Sequence, residues 1–358
     1  MQFGIAVATA ADSWKVVKRA EELGFSHAWF YDTQMLCADC FVAMGAAAIQ
    51  TSRIRLGTGV LIPSNRIAPV AANAFASLNL LAQGRIDFGV GTGFTGRRTM
   101  GLGAMKLSDM EEYIRVVMAL LRGETVDYTV EGRRRRIAFL NPELRLINLA
   151  DPVALHVSAY GPRAQALTAK LGAGWLNFVG DVAGGNKALA AMQESWRKAG
   201  RGDQPLSAVA FALGCVLRPD EAADGERAMA QAGPRAAVLL HRAADEALSG
   251  LPNTSPIPPS LAEPVARYVE LARGSHDPEA RYLGNHRGHL MAVRDNERPF
   301  VTADMIRQTT FTAPEAEIVS RVRALRDAGY TQFTVQLTPG QEAAVEDWAR
   351  IKAAVSAS

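Results

Sequence analysis

A chain of 358 residues with 48% apolar and 21% charged content is long enough to bury a large core, and its net charge of +3 makes no general case for nucleic-acid binding. No apolar run approaches the roughly 18 residues of a membrane span. Its three cysteines, Cys37, Cys40 and Cys215, cannot form a disulfide framework, so a cytoplasmic setting is expected.

The opening MQFGIAVATAAD lacks the basic segment of a secretion signal and reads as a first strand. After it come a helix over 12–23, the strand HAWFYD, a helix over 40–50, the strand IRLGTGVLIP, a helix over 70–81, the turn QGR and the strand IDFGVGTG. Four strand–helix units therefore precede residue 100. The rhythm resumes with VALHVSAY, a helix over 162–171, GWLNFV, a helix over 186–199, LSAVAFALGCVL, a helix over 314–328 and TQFTVQL. Eight strands rich in Val, Ile, Leu and Phe, alternating with helices, predict a closed (β/α)8 TIM barrel of α/β class rather than an open sheet. One domain over 1–358 is expected, with insertions at about 94–150 after strand four and about 220–312 after strand seven. Ser108 as N-cap and Glu111 as the far side of a capping box predict a helix in the first insertion, with Ile114, Val117, Met118 and Leu121 on its apolar face. The proline-rich LPNTSPIPPSLAEP in the second predicts a partly mobile lid over or beside the pocket.

In a barrel the chemistry sits where strands end. The exit of strand four, Gly91-Thr92-Gly93-Phe94-Thr95-Gly96, matches the G-x-G-x-x-G spacing but stands on the wrong strand for a dinucleotide fold. Its glycines would still let backbone N–H groups approach a phosphate or a flat ring. The exit of strand five, Ser158-Ala159-Tyr160-Gly161-Pro162-Arg163, starts a helix whose free N–H groups, dipole and Arg163 suit a phosphate. Basic residues concentrate at Arg97 and Arg98 and in the run Arg133 to Arg136, and that run reads as a solvated turn or as an anchor for an anionic tail or an acidic neighbouring subunit. Cys37 and Cys40 have C-x-x-C spacing without a thioredoxin-like context and read as incidental, and Trp29, Phe30 and Tyr31 as an aromatic core segment.

HAWFYD, RIRLGTGV, LAQGRIDFGVGTG, EEYIRVVMALLRGETVDYTVEGR, SAYGPRAQALTAKLGAGWL and PEAEIVSRVRALRDAGYTQFTVQL, in this order and spacing, resemble the bacterial luciferase-like superfamily of flavin-dependent monooxygenases and F420-dependent oxidoreductases. The resemblance covers most of the chain. It implies a barrel that binds reduced FMN or F420 in its mouth, with Thr92 and the segment from Ser158 through Tyr160, Gly161 and Pro162 to Arg163 at the cofactor phosphate. Gly59 and Val60 match a bulge, often with a non-prolyl cis peptide, behind the ring. Many relatives carry an acid followed by His at the exit of strand two; here Asp32 keeps the acid and Thr33 replaces the imidazole. Threonine has no useful proton affinity near neutral pH, so Asp32 is a candidate either for proton transfer or for holding a loop, and His289 is the candidate replacement imidazole. His286 stands three residues before His289 but no third ligand makes a metal site, and His27 and His156 read as structural.

The leading expectation is a monooxygenase using reduced FMN and O2 on a small organic substrate, with a separate flavin reductase as partner. The alternative is F420-dependent hydride transfer, which basic rim residues would favour. A non-catalytic flavin-binding or partner-subunit barrel, prompted by Thr33, would bind flavin without turnover. A homodimer is expected on general grounds, with neither nucleic acid nor membrane as partner.

Overall fold

The computed structural model describes residues 1–251, 257–275 and 277–357. Eight parallel strands close into a barrel. They are β1 (Gln2–Val7), β2 (His27–Phe30), β3 (Arg55–Thr58), β4 (Ile86–Val90), β5 (Ala154–Ser158), β6 (Gly174–Phe178), β7 (Ala208–Ala212) and β8 (Gln332–Leu337). Closure is made by β1 against β8, with Phe3 opposite Phe333 and Val7 opposite Leu337. The strands are buried on both faces because helices cover the outside and side chains fill the inside, which is why they read as apolar runs rather than alternating ones.

The helices of the wall are α1 (Trp14–Glu22), α2 (Cys40–Gln50) and α3 (Ala68–Leu81), then, after β4, the short α4 (Phe94–Arg98) and α5 (Leu107–Leu121). After β5 and β6 come α6 (Pro162–Leu171) and α7 (Val182–Lys198). The second insertion holds α8 (Glu226–Ser249), α9 (Ala262–Ser275), α10 (Arg281–Asn285) and α11 (Ala303–Thr309), followed by α12 (Glu315–Ala328) and, past β8, α13 (Val345–Ser356). Asp39 caps α2 by accepting from the N–H groups of Phe41 and Val42, and Asp181 caps α7 by accepting from Gly184.

Several boundaries differ from the sequence reading. The N-cap of α5 is Lys106, and Ser108 lies inside the helix with its hydroxyl on Asp109, so no capping box forms. The first turn of α7 begins at Val182, hidden in the sequence by Gly184 and Gly185. The long apolar stretch over 206–217 splits: β7 ends at Ala212, and Val216–Leu217 leaves the barrel to pair with Ala313–Pro314. Arg133 to Arg136 form one strand of a hairpin with Val126–Val130, turned by Glu131 and Gly132 at φ +50° and +72°, rather than a solvated turn. The second insertion is a helical layer with its own apolar core, built from Met229, Leu240, Leu261, Tyr268, Met305 and their neighbours. Within the expected lid, residues 252–256 lie outside the described residues, while Leu261 is buried and starts the run into α9. No helix among the described residues is long and apolar enough to cross a membrane.

Candidate active site at the barrel mouth

Inside the barrel, Ala6, Trp29, Leu176, Val209 and Phe211 pack into one plug, topped by the partly buried Tyr31, Val60 and Phe178 at the ends of the strands. A cavity of about 950 Å³ opens at the opposite, N-terminal end, beside Gln2, His27, Arg55, Asp87 and His156. Its charges satisfy one another: Arg55 is 2.7 Å from Asp87, and His27 and His156 each lie 3.8 Å from the same carboxylate. Burial opposes ionisation of Asp87, but hydrogen bonds from His156 and Arg55 prevail and hold it down to about 2. In a barrel that end serves stability, which leaves the mouth as the candidate site.

The back wall of the mouth is made where β3 ends. The Gly59–Val60 peptide is cis. A Cβ on Gly59 would come within 2.9 Å of Trp29 Cβ, and one on Gly91 within 2.8 Å of Val60 Cγ2, so Gly59 admits Trp29 and Gly91 admits Val60. Gly93 takes φ +78°, and its Cβ would strike Ile62 at 2.6 Å. The glycines of the G-x-G-x-x-G match therefore admit the β3 exit loop, which explains the pattern without a dinucleotide.

Asp32, just past β2, is 3% exposed and fully engaged with that loop. One oxygen accepts from the Ile62 N–H at 3.0 Å and from Asn65 Nδ2 at 3.1 Å, the other from Arg66 Nη1 at 2.7 Å, with Cys40 Sγ 3.7 Å away. Its neighbour Thr33 offers its carbonyl to the N–H groups of Leu36 and Cys37. Burial pushes the Cys37 thiol up to about 11 and Cys40 well above its ordinary value, so neither is a thiolate at neutral pH.

Thr92, partly exposed at the β4 exit, holds Met105 N–H with its carbonyl. At the β5 exit, Ser158 is partly exposed and Tyr160 is 58% exposed, yet burial still drives the Tyr160 phenol above its usual value, as expected for a side chain lining a deep concavity. Gly161 starts α6 with no side-chain cap, Pro162 takes the first turn, and the space in front of Gly161 is open to 4 Å. Arg163 is exposed beside it. An uncapped helix start facing open space, next to the apolar wall at Val60, fits a flat ring carrying a phosphate.

The other side of the mouth comes from the second insertion. Tyr31 donates to Gln336 Oε1 at 2.6 Å, and Gln336 Nε2 donates to the Leu290 carbonyl at 2.6 Å, which ties the segment after α10 to the end of β8. Leu290 is held at φ +61°, a conformation costing of order 1–3 kcal/mol for such a residue and sustained only by surrounding contacts. Its neighbour His289 is 2% exposed. His289 Nδ1 lies 2.8 Å from His241 Nδ1, and His241 Nε2 lies 2.6 Å from Glu297 Oε1. Despite burial, Glu297 is held down to about 2 by His241 and Arg294. An ionised carboxylate only accepts, so His241 carries its proton on Nε2 and its Nδ1 accepts from His289 Nδ1–H. That leaves His289 Nε2 as a bare acceptor, 3.4 Å from the Thr95 hydroxyl. Burial, the other two imidazoles, Arg242 and Arg235 push His289 well below the ordinary imidazole value.

His286 sits apart from this chain of bonds, 3.2 Å from Asp245, which also pairs with Arg98 at 2.6 Å. Arg98 is thus buried and neutralised rather than at the rim, and Arg97 donates to the Gly103 carbonyl. Arg134 pairs with Asp127 on the exposed hairpin. Among the described residues no group of three or more His, Cys, Asp or Glu is arranged for a metal. Sequence reasoning named His289 but missed His241, Arg235 and Arg242 on α8, and Glu297; the visible sign was the arginine pair spaced seven residues apart.

A family model described as luciferase-like monooxygenase matches residues 4–332. An F420-dependent glucose-6-phosphate dehydrogenase of Beutenbergia cavernae is 38% identical over 141 residues, 37% of this chain and 40% of that protein. The 5,10-methylenetetrahydromethanopterin reductase of Archaeoglobus fulgidus is 24% identical over 93% of this chain and 92% of its own. The chain spans 40% to 64% of the first four curated relatives it matches. The coenzyme F420 dependent tetrahydromethanopterin reductase of Methanopyrus kandleri has the same fold, with a TM-score of 0.74 at 20% identity over 98% of this chain and 97% of that one. With the closed barrel and the match of the family model over residues 4–332, the chain belongs to the luciferase-like monooxygenase family.

Proposed function

We propose that this protein is an F420-dependent oxidoreductase that moves a hydride between the deazaflavin and a small organic substrate. The observation that carries the choice of cofactor is that similar proteins are named as F420-dependent dehydrogenases, which favours this reading over the FMN monooxygenase placed first from sequence. When bound, F420 supplies a two-electron hydride carrier. Val60 and the Gly59–Val60 peptide back its ring, and Thr92, Ser158, Tyr160, Gly161, Pro162 and Arg163 hold its phosphate. Asp32 acts by anchoring the loop behind that wall. His289 Nε2 takes or returns the hydroxyl proton of the substrate. Glu297 and His241 fix the tautomer that leaves this nitrogen free to accept.

Anaerobic equilibrium binding of reduced F420 and reduced FMN, side by side on purified protein, tests the reading. Tight F420 and weak FMN binding is expected. The reverse preference would return the protein to oxygen-dependent chemistry, and binding of neither would refute both cofactors.

A further inference from the structure

We propose that Arg235 is the centre of an anion-binding subsite in the barrel mouth, built for a carboxylate or phosphate group of the substrate. The proposal rests on the mouth being the reaction site, as argued above.

Arg235 follows Pro234 on α8, and its guanidinium lies 5.1 Å from the centre of the Phe178 ring, at the end of β6. Its other electrostatic neighbours are Tyr31 and Tyr160, at the ends of β2 and β5. The cation is therefore held over the middle of the mouth. Three other cations around the mouth have carboxylates: Arg66 has Asp32 and Asp39, Arg98 has Asp245, and Arg294 has Glu297. Among the described residues none stands within ion-pair distance of Arg235, and its Nε is buried without a hydrogen-bond partner.

Arg235 keeps part of its surface open to the mouth while its Nε is buried, and a guanidinium partly withdrawn from water without a counter-ion is satisfied by a ligand that supplies the charge. Burial first, and then Arg242, bring the Arg235 guanidinium down to about 10, so it stays charged at neutral pH. Arg242 stands two turns further along α8 and lies 5.0 Å from the Phe94 ring, extending the positive face toward the β4 exit. A planar guanidinium stacked on an aromatic ring presents its outer edge to a carboxylate or phosphate, which it binds through two parallel hydrogen bonds. Tyr160 stands both beside Arg235 and next to the start of α6, so titration with F420 decides whether the anion at Arg235 belongs to the substrate or to the cofactor.

The test uses the full-length protein without cofactor. Inorganic phosphate and acetate are titrated into wild type, Arg235→Gln and the surface control Arg136→Gln at low ionic strength, followed by amide chemical shifts. Saturable one-site binding of at least one anion is expected in wild type and in Arg136→Gln, weakened about tenfold or more in Arg235→Gln. Absence of saturable binding, or equal binding by Arg235→Gln, would overturn the proposal. Should Arg235→Gln not fold, Arg235→Lys keeps the charge without the fork and is expected to bind more weakly than wild type; equal binding overturns the proposal there too. Reduced F420 is then titrated into the same proteins. If Arg235→Gln loses F420 and keeps the anion, the arginine serves the cofactor and the substrate subsite is refuted. If wild type binds the anion but not F420, the subsite stands and the cofactor reading falls.

Discussion

Replacing Asp32 separates an anchor from a proton carrier. In Asp32→Ala the Ile62 N–H loses its acceptor, Asn65 keeps only Gln34 and a long bond to the Asp32 carbonyl, and Arg66 keeps only Asp39. Removing one partner of a buried ion pair costs about 3–5 kcal/mol. Arg66 is 16% exposed and retains a carboxylate, which lowers its share, while the orphaned Ile62 N–H raises the total again. We expect a loss of about 3–4 kcal/mol for Asp32→Ala, and about half of that for Asp32→Asn, which keeps an acceptor oxygen in place. Urea unfolding followed by tryptophan fluorescence measures both, with an unchanged m-value as the sign that only stability has moved. Because the loop continues directly from Val60, reduced-cofactor affinity should fall in step with stability across the two variants. A cost below about 1 kcal/mol for Asp32→Ala, with cofactor affinity intact and turnover lost, would refute the anchoring argument and make Asp32 the proton carrier.

The buried imidazoles predict a pH dependence. Burial lowers His27 to about 4 from an unfolded value near 6.5, so between those values the unfolded chain binds a proton that the folded one does not, and stability falls as pH drops through that window. The difference of about 2.5 units is worth about 3 kcal/mol, with His241 and His289 acting in the same direction; His27→Gln should flatten the denaturation-derived stability between pH 6.5 and 4, and an unchanged slope would exclude His27 as a source. For His289, nitrogen-15 shifts should show a neutral ring with the proton on Nδ1 at pH 6; a protonated Nε2 would break the assigned chain to Glu297. Gly91→Ala should push Val60 into the mouth and weaken reduced F420 about tenfold or more by equilibrium titration, while an unaffected affinity would remove Val60 from the cofactor wall.

The parts of the molecule legible in the sequence are those written in local pattern. Double-sided burial turns each barrel strand into an apolar run, and the starts of α2 and α6 carry their own signals in Asp39 and Pro162, so the eight strands and most wall helices could be read off in order. The glycines at the β3 and β4 exits were legible as places of close approach, but not what approaches; only the fold shows that Val60 and Ile62 fill the space. Helix α8 was hidden because Gly233 and Pro234 sit inside it, and a proline at an interior position argues against a helix whose cost here is met by the apolar contacts of Met229, Leu240 and Tyr268. With α8 unseen, His241, Arg235 and Arg242 had no face to share. The chain of bonds at His289 joins residues 48 and 56 positions apart, and its partners have value only through distance and tautomer, which no spacing rule encodes. Asp32 shows the same limit from the other side. An acid at a strand exit has one sequence signature whether it moves protons or holds a loop, and the decision lies with Ile62, Asn65 and Arg66, brought to it by a neighbouring strand.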